Sequence, residues 1–159
     1  MAMKMQVTGI EELSRKLNTL GERAQDIAAR SLYTGAGVMA DAYAQAVNSI
    51  HAEDFRYAAG GRKRDPSLEE KAAIQGKIGI AKFDKNGSEV GTAVGISNGG
   101  YVAIAGKQKA VRKIANAINS GTSFMRKQPV FRRAATQTRN AASQAIVDTA
   151  DRLIDEITK

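Results

Sequence analysis

Between Val90 and Val147 the chain carries nine Lys or Arg residues and no Asp or Glu. They are Lys107, Lys109, Arg112, Lys113, Arg126, Lys127, Arg132, Arg133 and Arg139. The chemistry such a run offers is electrostatic, since ammonium and guanidinium groups bind phosphate and carboxylate oxygens. The whole protein carries +8, and outside this run 15 basic residues stand against 16 acidic ones. The excess charge is therefore local. Self-repulsion makes a local excess costly unless a polyanion or an acidic partner neutralises it. The simpler alternative is a solvated basic face that aids solubility.

Other chemistry has less to build on. His51 is the only histidine, so a His-based metal cage is excluded, and beside Glu53 and Asp54 it reads as a solvated helix-end residue. The absence of Cys excludes disulfides and thiolate metal sites. Glu11-Glu12 and Glu69-Glu70 are adjacent pairs whose side chains diverge. The glycines at 91, 95, 99 and 100 lack the Lys-Ser/Thr ending of a phosphate loop. The residues thus point to no catalytic site, no metal and no cofactor. Zinc-finger, basic-zipper and RNA-binding aromatic motifs are missing too, so any nucleic-acid contact should be to phosphate and indifferent to sequence. Tyr101, Phe124 and Phe131 interleave with the basic residues, Phe131 reading as a core anchor rather than a stacking platform.

The elements that must position these groups form one domain spanning 1–159. Its 43% apolar content is globular, and aromatics supply only 5%. No apolar run approaches the ~20 residues of a membrane span, and no signal-peptide core follows Met1, so a soluble cytoplasmic product is expected. Thr8-Gly9-Ile10-Glu11 spells a capping box ahead of Ile10, Leu13, Leu17 and Leu20. This predicts a helix at about 9–20, stopped or bent at Gly21. A second helix at about 22–50 carries Ala24, Ile27, Ser31, Gly35, Val38, Met39 and Ala42 on one stripe. The small residues of that stripe invite close approach by another element. Glycine costs a helix about 1 kcal/mol, and close packing would explain Gly35 and Gly37.

The middle differs. Residues 56–67 have loop composition with few apolar anchors and are expected to order only on assembly. Ser67 can cap a short turn through Glu70. Strands are expected at about 75–83 and 88–97 around an Asn86-Gly87 turn, with a third near Tyr101–Ala105. Helix returns at Ala110–Asn119, stopped by Gly121. A last helix at about 129–157 opens on Pro129. Its stripe is Val130, Ala134, Thr138, Ala141, Ala145, Thr149, Leu153 and Ile157, basic at its start and acidic at its end. The predicted class is α+β, with long N- and C-terminal helices packed on a small antiparallel β-sheet from the middle of the chain.

Three stretches carry a family resemblance. They are Val7-Thr8-Gly9-Ile10-Glu11-Glu12-Leu13 with Leu17 and Leu20; Ala28–Ala42 with Gly35-Ala36; and Tyr101-Val102-Ala103, Asn119-Ser120-Gly121-Thr122 and Gln128-Pro129-Val130-Phe131-Arg132-Arg133-Ala134. Together they resemble the tail-completion, or head–tail joining, family of long-tailed double-stranded-DNA phages, to which the minor tail protein Z of phage lambda is related. The chain departs from the family pattern at Asn119-Ser120, where an acidic–aromatic pair is common. It departs again at Val130, which separates Pro129 from Phe131, and where Arg133 or Ala135 replaces a second proline. The resemblance implies a non-enzymatic virion subunit that forms a six-fold ring at the head-proximal end of the tail, around the DNA path. Its partners would be further copies of itself and tail-tube, tail-terminator or connector proteins, with non-specific contact to double-stranded DNA and no membrane. Within that expectation Lys107, Lys109, Arg112, Lys113, Arg126, Lys127, Arg132 and Arg133 face DNA or a protein partner, and Ser31, Gly35, Val38, Met39 and Ala42 form the subunit interface. The other class the residues allow is a free-standing, sequence-independent nucleic-acid-binding protein of a prophage or host.

Overall fold

A computed structural model of the chain describes residues 10–54, 62–86, 89–96 and 100–159. Its elements run α1 (Ile10–Asn48), α2 (Leu68–Ile74), β1 (Ile78–Ile80), β2 (Asp84–Asn86), β3 (Glu89–Gly91), β4 (Val94–Ile96), β5 (Tyr101–Ile104), β6 (Lys107–Ala110), α3 (Val111–Ser120) and α4 (Val130–Thr158). The expected class stands: an α+β chain with long terminal helices and short antiparallel strands between them.

The two helices expected on either side of Gly21 are one unbroken helix of 39 residues, about 58 Å long. Thr8, its expected cap, lies outside the described residues. Helix α1 survives its glycines because α4 lies against it, in the most extensive contact between any two elements. The pair is antiparallel. Lys16 donates to the carbonyl of Thr158, Gly35 faces Ala142 and Ile146, and Ala42 and Ala46 share a groove with Val130 and Ala134. Small residues at these levels let the axes approach closely. On α4 the buried positions are Ala134, Ala142 and Leu153. The expected stripe thus shifts by one residue at its centre, with Ala142 rather than Ala141 facing inward.

The strands form two hairpins rather than one small sheet. In the first, β1 pairs with β4, Ile78 opposite Ile96, and β2 pairs with β3, closing at Asn86 opposite Glu89. Gly87, expected in the turn, lies outside the described residues. Strand β5 does not join this hairpin. It pairs with β6, Tyr101 opposite Ala110 and Ile104 opposite Lys107, and β6 occupies residues not assigned to a strand from sequence. Its two-residue turn places Ala105 and Gly106 at φ 52° and 73°. This is the backbone of a type I′ hairpin, whose usual Asn-Gly or Asp-Gly signature the sequence lacks.

The main core lies at one end of the helical pair, where Val47, Ile50, Ile74, Ile104, Val111, Ile114, Ile118 and Met125 pack together. Phe131 packs against this cluster and edge-on to Tyr43 at 5.6 Å, the anchoring role expected of it. Farther along, the helical pair covers itself less completely. Leu13 and Leu17 remain more than half exposed, and an apolar groove of about 510 Å³ runs between Leu20, Ala24, Ala28, Ile146 and Ile154.

The glycines of α1 separate cleanly by surroundings. A Cβ on Gly35 would meet Ile146 Cγ1 at 2.5 Å and the Ala142 carbonyl at 3.0 Å, whereas Gly37 has nothing within 4 Å. Gly37→Ala is expected to stabilise the protein by about 1 kcal/mol through helix propensity. Gly35→Ala is expected to destabilise it, because overpacking costs about 1–3 kcal/mol. Urea midpoints that rise equally for both variants would remove the close-packing account. Ala105→Asn, relieving a left-handed alanine, should stabilise the protein by roughly 1 kcal/mol, seen as a higher urea midpoint.

Candidate functional site

The site is organised around a carboxylate that has almost no contact with water. The Glu70 side chain is 3% exposed and meets Arg64 in a two-pronged ion pair. Arg64 Nη1 donates to Oε2 at 2.7 Å and Nη2 donates to Oε1 at 2.8 Å. Lys109 Nζ donates to Oε1 at 3.2 Å. The capping box expected at the start of α2 also forms: the Ser67 hydroxyl accepts from the Glu70 amide, and Glu70 Oε2 accepts from the Ser67 amide. Burial pushes the Glu70 carboxyl up, but the bonds from Arg64, Ser67 and Lys109 outweigh it and hold the group down at about 2. The same pairing raises Arg64.

Arg64 carries this anchor into the next loop. Its amide donates to the Phe124 carbonyl, its carbonyl accepts from the Arg126 amide, and its guanidinium lies 5.9 Å from the centre of the Phe124 ring. The neighbouring Asp65 is 4% exposed and accepts from Arg126 and Gln128. Gln128 in turn bonds both backbone groups of His51. Residues 62–67, expected to order only on assembly, are therefore fastened within the single chain. The remainder of that loop, 55–61, lies outside the described residues. His51, Glu53 and Asp65 place their ligand-capable atoms within 4.8 Å of one another, a grouping the sequence did not suggest. Arg126 already occupies Asp65 Oδ2 at 3.3 Å, and its positive charge opposes a cation there.

The eight basic residues singled out from sequence do not form one surface. Lys109 and Arg126 are committed to the buried acids Glu70 and Asp65. Lys127, Arg132 and Arg133 are exposed and converge with Thr136 and Gln137 on a cavity of about 370 Å³ at the start of α4. Lys109 and Lys113 flank a second cavity of about 270 Å³, walled by Tyr101, Ile114, Phe124 and Met125. Lys107 and Arg112 are exposed but line neither cavity. Tyr101 is 73% exposed and Phe124 60% exposed. Among the described residues no ion pair engages Lys107, Arg112, Lys113, Lys127, Arg132 or Arg133.

The proposed interface residues also divide. Ser31 and Gly35 are buried. Gly35 faces α4, and the Ser31 hydroxyl donates to the Ile27 carbonyl at 2.7 Å. That part of the small-residue stripe is taken up by packing within the chain. Ala42 faces the start of α4, while Val38 and Met39 are half-buried. Arg64, Asp65 and Gln128 were missed from sequence as organising residues. The one available signal was Ser67 three residues before Glu70, which placed the cap but not the ion pair. No protein-family model, curated protein or solved structure matches the chain.

Because Glu70 sits below its ordinary value of 4.5 when folded, its contribution is complete above about pH 4.5 and is lost as pH falls toward 2. The shift corresponds to roughly 3 kcal/mol. Urea unfolding of the wild type should therefore steepen in acid sensitivity across that window, and Glu70→Gln should flatten it. Identical acid limbs for the two proteins would contradict the assignment. Arg64→Ala, which strands a buried carboxylate, is expected to cost about 3–5 kcal/mol at neutral pH.

Proposed function

We propose that the chain is a structural virion protein of a tailed phage or prophage. In this reading it is a tail-completion or head–tail joining subunit that forms a six-membered ring around the DNA path. It performs no catalysis and needs no cofactor. It assembles in the host cytoplasm and ends in the tail or neck of the particle, against tail-tube, tail-terminator or connector proteins. The observation that carries the reading is the polarity of the subunit. One end presents Lys127, Arg132 and Arg133 around a common cavity. The far end of α4 presents exposed Asp148, Asp151, Asp155 and Glu156. Unlike ends on one subunit suit a heterologous contact, which closes into a ring when the rotation permits.

The apolar surface near the start of α1 supports the same reading. Leu13 and Leu17 and the groove beside Leu20 are what a neighbour would cover. This moves the expected subunit contact away from Gly35, which faces α4, toward the start of α1 and the groove that Ser31 also lines. No helix among the described residues is long and apolar enough to cross a membrane. A second reading, a sequence-independent nucleic-acid-binding protein of a prophage or host, is favoured by the two exposed aromatic rings beside Lys113.

Imaging of intact tails is the deciding experiment, and six copies at the head-proximal end are expected. A single copy, or a symmetry incompatible with six, removes the ring. A Lys127→Gln, Arg132→Gln, Arg133→Gln variant should fold normally, since exposed charges contribute little to stability, while the yield of infectious particles falls. Arg126 is left intact because it holds buried Asp65. Unchanged infectivity would return the cluster to a solvated face.

A further inference from the structure

The cavity between Tyr101 and Phe124 is built differently from the cationic one at the start of α4. Its floor is apolar, from Ile114 and Met125, and its rim carries two rings and Lys113. The chain has four Tyr, four Phe and no Trp. Three aromatic side chains stand largely exposed among the described residues, and two of them meet here. The third, Tyr33, lies against Phe83 at 5.9 Å. Tyr101 and Phe124 are not left over from core packing either. Tyr101 is carried on the β5–β6 hairpin, and Phe124 is fixed by Arg64 through its carbonyl and over its ring.

Among the described residues the one carboxylate at this cavity, Glu70, is already neutralised by Arg64 and Lys109. An incoming anion therefore meets net positive charge. Three residues beyond Phe124 along the same loop comes Lys127, at most about 11 Å of chain away. Lys127 opens the cationic cavity at the start of α4 with Arg132 and Arg133. One loop thus joins an aromatic platform to a cationic pocket. A single-stranded nucleic acid has the matching repeat, in which each nucleotide offers a flat face to stack and one negative charge. Stacking on aromatic side chains next to a cationic groove is how sequence-tolerant single-strand binding is achieved. An acidic protein surface would use the cations but has less need of two open rings.

We propose that this face binds single-stranded nucleic acid without sequence preference, bases stacking at Tyr101 and Phe124 and the adjoining phosphates held by Lys113, Lys127, Arg132 and Arg133. The activity is independent of ring formation and is measured on the purified full chain. With no Trp present, tyrosine is the emitting residue, and the part of the quenching that is lost in Tyr101→Ala reports occupancy of the Tyr101 site. An oligothymidylate of about ten nucleotides, titrated at low salt, should quench that fluorescence and bind more tightly than a duplex of matched length. Tyr101→Ala and Phe124→Ala should each weaken oligothymidylate binding about tenfold, read by anisotropy of a labelled strand, while duplex binding changes little. Tyr101→Trp and Phe124→Trp, which keep a stacking face, should retain it. Converting Lys127, Arg132 and Arg133 to Gln should lower the slope of log affinity against log salt by about two. No binding at low salt overturns the proposal, as does unchanged affinity after truncation of both rings. Ring-dependent binding of poly-glutamate as tight as that of the oligonucleotide also overturns it, in favour of an acidic protein partner. None of these outcomes bears on copy number in the tail, so the two readings fail separately.

Discussion

The buried pair of Arg64 and Glu70 is the constraint on which the arrangement of the loops at the core end of this protein depends. A carboxylate at 3% exposure is tolerable only with its charge and lone pairs satisfied. Glu70 meets that condition with four donors, namely both prongs of Arg64, Lys109 and the Ser67 amide. The donors come from two places in the chain, the 64–67 stretch and strand β6. One carboxylate therefore ties the 62–67 loop, the start of α2 and strand β6 together, and through Arg64 the 124–126 loop as well. The pair is not a simple source of stability, because desolvation consumes much of its Coulomb attraction. Its value lies in geometry: once Glu70 is inside, these segments have one arrangement in which it is paired.

That arrangement decides which charges are available. Lys109 and Arg126 belong to an acid-free run only along the sequence. In space Glu70 and Asp65 come to them from some forty and sixty residues away. Among the described residues no ion pair engages Lys107, Arg112, Lys113, Lys127, Arg132 or Arg133, and the last three meet around one cavity. Two exposed rings beside Lys113 follow from the same framework, since Phe124 is aimed by Arg64 and Tyr101 by the register of β5 on β6. The exposed charge and the exposed rings at this end thus follow from how the buried acids are satisfied.

The long helical pair follows different rules. Gly35 is required by the approach of Ile146, while Gly21 and Gly37 have open space around them and are simply tolerated. Packing of α1 along α4 outweighs three glycine costs of about 1 kcal/mol each. Local propensity alone would have divided that helix. The same packing uses Ser31 and Gly35 inside the chain, so the small-residue face that invited a neighbour is answered by α4. What stays open is the start of α1, at Leu13 and Leu17.

The sequence by itself determined the α+β class, the four-part order of helix, strands, helix and helix, the Ser67–Glu70 cap, the stop at Gly121 and the core role of Phe131. These are local matters, written in periodicity, capping residues and turn formers within a few positions of one another. It also placed the charge excess, along the chain, between Val90 and Val147. Tertiary structure alone decided that α1 runs through Gly21, that Tyr101 pairs with β6, and that Lys109 and Arg126 are spent on internal acids. It alone brought Tyr101, Lys113 and Phe124 to one cavity. Each of those outcomes turns on residues far apart in the chain. Burial, charge satisfaction and close approach are properties of neighbours in space, and no spacing along a single chain specifies which neighbours those will be.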